Sequence, residues 1–323
     1  MTALTERVVA APARTPLHVL SAADLGSLGL DRMLARAESF RHARRLGRLP
    51  NLLSGRQVAL LFEKPSLRTR VSFEVGVTIL GGAAIYLGPD EVGLGTRESP
   101  TDIGQNLSRW VDAIVVRTYA HDSVVELAAA SSIPVINGLT DLEHPCQALA
   151  DLLTLRQHLG TLHGRRIAFV GDGNNVCHSL LLAAAQAGVS VRVATPDGYA
   201  PNPEVVATAS RLGRLSGAAI ELGTHPAGAV SGVDAVYTDV WTSMGAEAEA
   251  GERRARFAGF RVDADLLAHA PGALVMHCLP AHRGEEISAE ALDGPRSVAL
   301  DQAENRLYAQ QALLVELLDR VGP

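Results

Sequence analysis

The sequence is punctuated by short β-branched runs, each set apart by a longer stretch with helical spacing, and this alternation limits the fold more than any other feature. Strand-like runs fall at 57–62, 83–87, 112–117 and 133–136, then again at 166–170, 190–194, 235–238 and 274–277. Parallel strands need crossover connections, and helices are the usual ones, so the pattern predicts α/β layers built on parallel sheets. Helices are expected at about 24–45 with Asp24 as N-cap, 68–80 closed by Gly81-Gly82, 175–187, 203–212 and 263–268. The stretch 144–159 reads as one helix joining two halves, started by Pro145 where proline is tolerated. A last helix, 304–321, puts Leu307, Leu314, Leu317, Leu318 and Val321 on one stripe. With 323 residues, 47% of them apolar, the chain has material for about two cores. The expected architecture is two α/β domains, each a central parallel sheet flanked by helices, with the active site in the cleft between them. The division is expected at 1–145 and 146–303, with the final helix packing back on the first domain.

Charge and cysteine usage exclude several function classes. A net charge of −6 gives no global attraction for nucleic acid or an anionic membrane, so any anion binding must be local. Lys64 is the only lysine among 29 basic residues, which makes a surface arginine uninformative in this chain. Cys146, Cys177 and Cys278 are odd in number and form no CxxC pair, which fits a reducing cytoplasm rather than a disulfide framework. No apolar run is long enough to span a bilayer, and the opening MTALTERVVAAPARTP reads as a frayed tail rather than a transit peptide.

The polar clusters nearly all follow strand-like runs, where open parallel sheets bind ligands. In Phe62-Glu-Lys-Pro-Ser-Leu-Arg-Thr-Arg70, Ser66 is suited to cap a helix whose free N–H groups and dipole would cradle a phosphate beside Arg68 and Thr69. Arg70 sits four before Glu74 and is expected to form a surface ion pair instead. His144 and Gln147, three apart at a helix start, share a face and suit a small carbonyl or amide group. In Val170-Gly-Asp-Gly-Asn-Asn-Val176 the third glycine of a dinucleotide loop is replaced by Val176, which disfavours a dehydrogenase; Asn174-Asn175 suits a carboxylate better. Asp239 could take an ammonium group, and Ser243-Met244-Gly245 has the small residues of a mobile loop. Cys278, beside His277 at a strand end, could be a nucleophile, a proton acceptor or inert; neighbours on a strand face opposite ways, so the Cys/His pair alone does not support a thiol protease. His277 and His282 lack the spacing of a metal site.

Taken in order, SLRTR, HPCQALAD, GDGNN, DVWTSMG and HCLPAHRGEE resemble motifs of the carbamoyltransferases, and the last two particularly those acting on ornithine. The resemblance runs from about residue 24 to 318. It implies transfer of a carbamoyl group from carbamoyl phosphate to L-ornithine, without metal or cofactor, in a homotrimer or a multiple of it. Carried over by motif position, Ser66, Leu67, Arg68 and Thr69 would hold carbamoyl phosphate, with Arg117, His144 and Gln147 completing that pocket. Asn175, Asp239, Ser243 and Met244 would bind ornithine, while Cys278, Leu279 and Arg306 would close around the reacting groups. Arg117, His144 and Cys278 are the residues expected at the chemistry.

Two departures stand out. Leu67 replaces the first threonine of the commonest motif, which preserves a backbone contact but not a hydroxyl one. The family's loop to the neighbouring subunit often carries glutamine; here it reads Glu91-Val-Gly-Leu-Gly-Thr-Arg-Glu98, with Arg97 the candidate and Gly93 and Gly95 permitting an extended excursion. Aspartate as acceptor would call for further cationic groups near the second-substrate site. N-acetylornithine and putrescine compete with ornithine as acceptors. A non-catalytic metabolite-binding role on this fold would need a broken site, and every charged and thiol position is filled.

Overall fold

The computed structural model describes residues 18–242 and 247–321. Ser243, Met244 and the opening segment 1–17 lie outside the described residues. Nine strands form two all-parallel sheets among these residues. The first sheet contains β1 (Gln57–Phe62), β2 (Ala83–Leu87), β3 (Ala113–Arg117) and β4 (Val135–Leu139), in the order β2-β1-β3-β4. The second contains β5 (Arg166–Val170), β6 (Ser190–Ala194), β7 (Ile220–Gly223), β8 (Ala235–Thr238) and β9 (Leu274–His277), in the order β7-β6-β5-β8-β9. β3 and β8 are buried along their whole length, as strands covered on both faces should be. None of the helices described is long and apolar enough to cross a membrane.

Each sheet changes direction once. The first does so between β1 and β3, the second between β5 and β8. Crevices open beyond the carboxyl ends of strands at such points. The segments that follow these four strands begin with Glu63, Thr118, Gly171 and Asp239.

The helix Pro145–Leu159 joins the two sheets, and all of its first eleven residues are buried. The C-terminal helix Ala299–Val321 packs on it and also on the helices Leu30–Arg45 and Leu67–Ile79 of the first layer. Gly76 makes the last contact close: a Cβ there would lie 3.3 Å from Leu307 and Gln311.

Three expectations are corrected. The single helix at 24–45 is interrupted at Gly29, whose φ of 86° lies in the left-handed region, and the long helix begins at Leu30. Asp24 is not its cap; Ser21 caps a short 3₁₀ turn, and Asp24 closes the reciprocal half of that capping box. The segment Val92–Arg97 is a compact turn rather than an extended excursion, with Thr96 and Arg97 N–H both donating to Gly93 O.

Candidate active site

A cleft of about 910 Å³ lies between the sheets. It gathers Ser66, Leu67, Arg68, Thr69, Arg117, His144, Gln147, Asn175, Asp239, Cys278, Leu279 and Arg306 into one lining. Among the described residues, these are all the positions nominated for the site of this chain itself; Arg97 is nominated for a neighbouring one.

The wall on the side of the first sheet is the start of the Leu67–Ile79 helix. Ser66 caps it, its Oγ accepting the Thr69 N–H at 3.1 Å. That bond uses a lone pair of the hydroxyl and leaves its proton to donate, and the amides of Leu67 and Arg68 are the first-turn donors that a helix leaves over. The Leu67 side chain itself is 75% exposed, so a leucine for threonine there alters little inside the cleft. Arg70 points away, pairing with Glu74 at 2.9 Å and lying over the Tyr86 ring. Arg68, two residues earlier, lines the cleft and has no ion pair among the described residues.

Arg306 is the hub of the floor. Its Nη2 donates to Thr69 Oγ1 at 2.7 Å, and its Nη1 reaches His144 Nε2 at 3.0 Å and Gln147 Oε1. Arg117 Nη1 also approaches Thr69 Oγ1, at 3.5 Å. The Thr69 hydroxyl thus accepts from two guanidiniums, which leaves its own proton to donate elsewhere. Gln147 Nε2 donates to Asp151 at 2.8 Å, fixing which end of the carboxamide faces Arg306. His144 Nε2 can only accept from a guanidinium, so its proton resides on Nδ1, a buried atom with no protein partner among the described residues. The Nε atoms of Arg117 and Arg306 are likewise buried and unpartnered.

Electrostatics here are poised for an anion. Burial, then Arg306 and Arg68, lower Arg117 to about 10. Burial also lowers Arg306, with Arg68 contributing. His144 is pushed well below its usual value by burial and then by these same cations, and is neutral at pH 7. Cationic groups that destabilise one another in a dry pocket are relieved by a bound dianion.

The opposite wall belongs to the second sheet. Asp239 follows β8 and Cys278 follows β9, and the Cys278 thiol donates to Asp239 Oδ1 at 2.9 Å. Burial first, and Asp239 second, raise the thiol well above its usual value, so it is not a thiolate nucleophile. The other Asp239 oxygen accepts from Asn174 Nδ2 at 2.8 Å. Asn175 lines the cleft while its Nδ2 donates to Thr140 O at 2.6 Å. His277 turns the other way, accepting from Leu279 N–H through Nδ1 and meeting Glu286 through Nε2 at 3.1 Å. Leu279 has a left-handed φ of 57°, uncommon for a branched residue and a frequent mark of functional loops.

The glycines after β5 serve the chain rather than a dinucleotide. A Cβ on Gly173 would fall 2.3 Å from Pro201 N, so the space is already filled by backbone. Asp172 is engaged by Arg253 at 2.8 Å.

Sequence reasoning missed Lys64, which is buried in the lining with its Nζ 4.1 Å from the Tyr119 ring centroid. A lone lysine carries no spacing signal; its singularity was the only hint. Arg254, His282 and Glu285 at the rim were missed as well. Arg97 does not line the cleft of its own chain, and its Nη1 reaches Glu91 O at 3.4 Å.

Two family models match the chain in succession. Residues 17–157 match the carbamoyl-P binding domain of the aspartate/ornithine carbamoyltransferases, and residues 163–317 match their Asp/Orn binding domain. An ornithine carbamoyltransferase of Pyrococcus horikoshii is 50% identical over 290 residues, 90% of this chain and 92% of that protein. One from Acidothermus cellulolyticus is 56% identical over 274 residues, 84% of this chain and 87% of that protein. The solved ornithine carbamoyltransferase of Pyrococcus furiosus superposes with a TM-score of 0.90 at 46% identity, covering 94% of this chain and 97% of that one. With both halves of the cleft matched in order, the chain belongs to the aspartate/ornithine carbamoyltransferase family.

Proposed function

We propose that this chain transfers the carbamoyl group of carbamoyl phosphate to the δ-amine of L-ornithine, giving L-citrulline and phosphate. One arrangement carries the reading: Arg68, Arg117 and Arg306 meet a capped helix N-terminus on one wall, facing the Cys278–Asp239 pair on the other. The names of the relatives, one of them an anabolic ornithine carbamoyltransferase of Pyrococcus furiosus, support a role in arginine biosynthesis.

In this reading the phosphate lies on the Leu67 and Arg68 amides and the Arg68 guanidinium, while Ser66 shapes the cap. The carbamoyl oxygen receives hydrogen bonds from His144 Nδ1–H, the Thr69 hydroxyl and Arg117. Such donors act most strongly on the oxyanion that forms when the amine attacks. Gln147 and Arg306 hold His144 and Thr69 in register, and Leu279 and Cys278 close the pocket over the carbamoyl group. Ornithine binds through Asp239 at its α-ammonium and Asn175 at its α-carboxylate, with Ser243 and Met244 completing that side.

Attack requires the δ-ammonium to lose one proton to solvent first, since an amine of this type has a pKa near ~10.4 in water. The nitrogen lone pair then forms the C–N bond, the C–O bond to phosphate breaks, and the second proton leaves with the phosphate as hydrogen phosphate. Cys278 stays a thiol throughout and shapes the field around the amine.

The proposed division assigns carbamoyl phosphate to 1–145 and ornithine to 146–303, with 304–321 returning to the first domain; the packing of the C-terminal helix supports it. A homotrimer or a multiple of it in the cytoplasm completes the reading, with Arg97 or a neighbour contributing to the adjacent site. Light scattering tests the assembly, and a fully active monomer contradicts it. The activity is tested by comparing kcat/KM for L-ornithine, putrescine and N-acetylornithine with carbamoyl phosphate. L-ornithine is expected to lead; equal rates with N-acetylornithine overturn the assignment of acceptor.

A further inference from the structure

The loop after β4 is gripped by a single face of a helix from the other sheet's layer. Asn175, His178 and Ser179 are spaced i, i+3 and i+4 on the Asn175–Gln186 helix and so project together. Asn175 Nδ2 donates to Thr140 O at 2.6 Å, His178 Nδ1 lies 2.8 Å from Leu142 O, and the His144 N–H donates to Ser179 Oγ at 2.7 Å. His178 Nε2 accepts the Asn202 N–H, so the proton that meets Leu142 O is on Nδ1. The helix that offers Asn175 to the amine side therefore also holds the backbone of His144 on the carbamoyl side.

The last of these contacts has a second layer. The Ser179 hydroxyl donates to Glu143 Oε2 at 3.0 Å, and the same oxygen accepts the Ala22 N–H at 2.8 Å. A hydroxyl has one proton, and an acceptor in this position fixes where it goes. With that proton on Glu143, a Ser179 lone pair is left facing the His144 N–H. Ser179, Glu143 and His144 are all buried, so water does not compete freely for these bonds.

We infer that Ser179 and Glu143 are positioning residues of the transfer reaction: Ser179 holds the His144 backbone, and with it the imidazole, and Glu143 orients the Ser179 hydroxyl. The inference rests on the proposed reading in which His144 Nδ1–H serves the carbamoyl oxygen. Small displacements of such a donor cost rate rather than binding, because the phosphate is held elsewhere, at Arg68 and the helix N-terminus.

The test uses the full chain and the variants Ser179→Ala, Glu143→Gln, Glu143→Ala, His144→Ala and the double variant Ser179→Ala/His144→Ala. Steady-state constants for both substrates are measured well below the melting temperature of every variant. Ser179→Ala is expected to lower kcat by about 10- to 100-fold while the KM for carbamoyl phosphate moves less than about threefold. Glu143→Gln keeps an oxygen acceptor and restores most of the kcat lost in Glu143→Ala. The double variant is expected to be no slower than His144→Ala, because Ser179 acts through His144. Should Ser179→Ala fail to fold, Ser179→Cys, which keeps a weaker donor and acceptor, is read the same way. A lowered melting temperature with unchanged kcat overturns the inference, as does a double variant that loses the product of the two single factors. If His144→Ala itself keeps the kcat of the parent, the reading of His144 falls, and this outcome is separate from a failure of coupling.

Discussion

Arg306 Nη2 donates to Thr69 Oγ1 at 2.7 Å across 237 residues of sequence. That bond brings the C-terminal helix to the first turn of the helix after β1, and Arg306 Nη1 extends it to His144 and Gln147. A floor made from three separate segments is thereby held by one planar guanidinium.

Arg306→Lys tests this geometry while keeping the charge. An ammonium is a point donor and cannot hold the three partners in the fixed directions of a guanidinium fork. The expected loss in kcat/KM is on the order of 10²-fold, or about 3 kcal/mol of transition-state stabilisation. Steady-state kinetics read it directly. A lysine variant within about threefold of the parent would show that charge alone suffices.

Arg68 and Arg70 make an internal control. Arg68→Ala removes a cleft cation and is expected to lower turnover by orders of magnitude. Arg70→Ala removes an exposed pair with Glu74 and a stacking contact with Tyr86, so it is expected to leave turnover near that of the parent and to lower the melting temperature slightly. Equal losses of activity in two well-folded variants would refute the phosphate cradle.

Anion binding is expected to stabilise the fold. Carbamoyl phosphate or inorganic phosphate relieves the crowding of Arg68, Arg117 and Arg306, and at 100 times its Kd a ligand adds about 2.7 kcal/mol. Thermal shift assays should show a clear rise in Tm for the parent and a much smaller one for Arg68→Ala. An equal rise in both would place the anion elsewhere.

Asp151 gives stability a pH dependence of definite sign. Burial pushes its carboxyl up to about 7, against the hydrogen bonds of Gln147 and Gln302 and the more distant Arg306. Between the unfolded value near ~3.9 and about 7 the folded chain keeps a proton that the unfolded chain has lost. The contribution of Asp151 is therefore fully present below that unfolded value, declines as pH rises, and levels off above about 7. The stability difference between the parent and Asp151→Asn, read from urea midpoints, should fall between pH 5 and pH 7 by up to about 1.4 kcal/mol per unit. A difference that is flat or rising with pH would contradict the assignment.

The sequence is most legible where local chemistry decides. β1, β2, β5, β6, β8 and β9 lie at their expected bounds because β-branched runs ended by turn residues have few other options. β7 escapes such a reading since Ile220-Glu-Leu-Gly223 is a short edge strand, largely exposed, with no such run. The N-terminal helix reads too long because a glycine inside a helical pattern does not reveal its φ in advance. In the cleft, Ser66, Arg68, Thr69, His144 and Gln147 can be nominated from capping and spacing. Arg306 comes only from family resemblance, and the Glu143–Ser179 contact, spanning 36 residues, has no local signal at all.

Carbamoyl transfer to ornithine is tested most directly by following ¹³C-labelled carbamoyl phosphate with L-ornithine and identifying the product by fragmentation mass spectrometry. One labelled citrulline per phosphate released is expected, with the carbamoyl group on the δ-nitrogen. Phosphate release without a carbamoylated amino acid, or a label on the α-nitrogen, would contradict it.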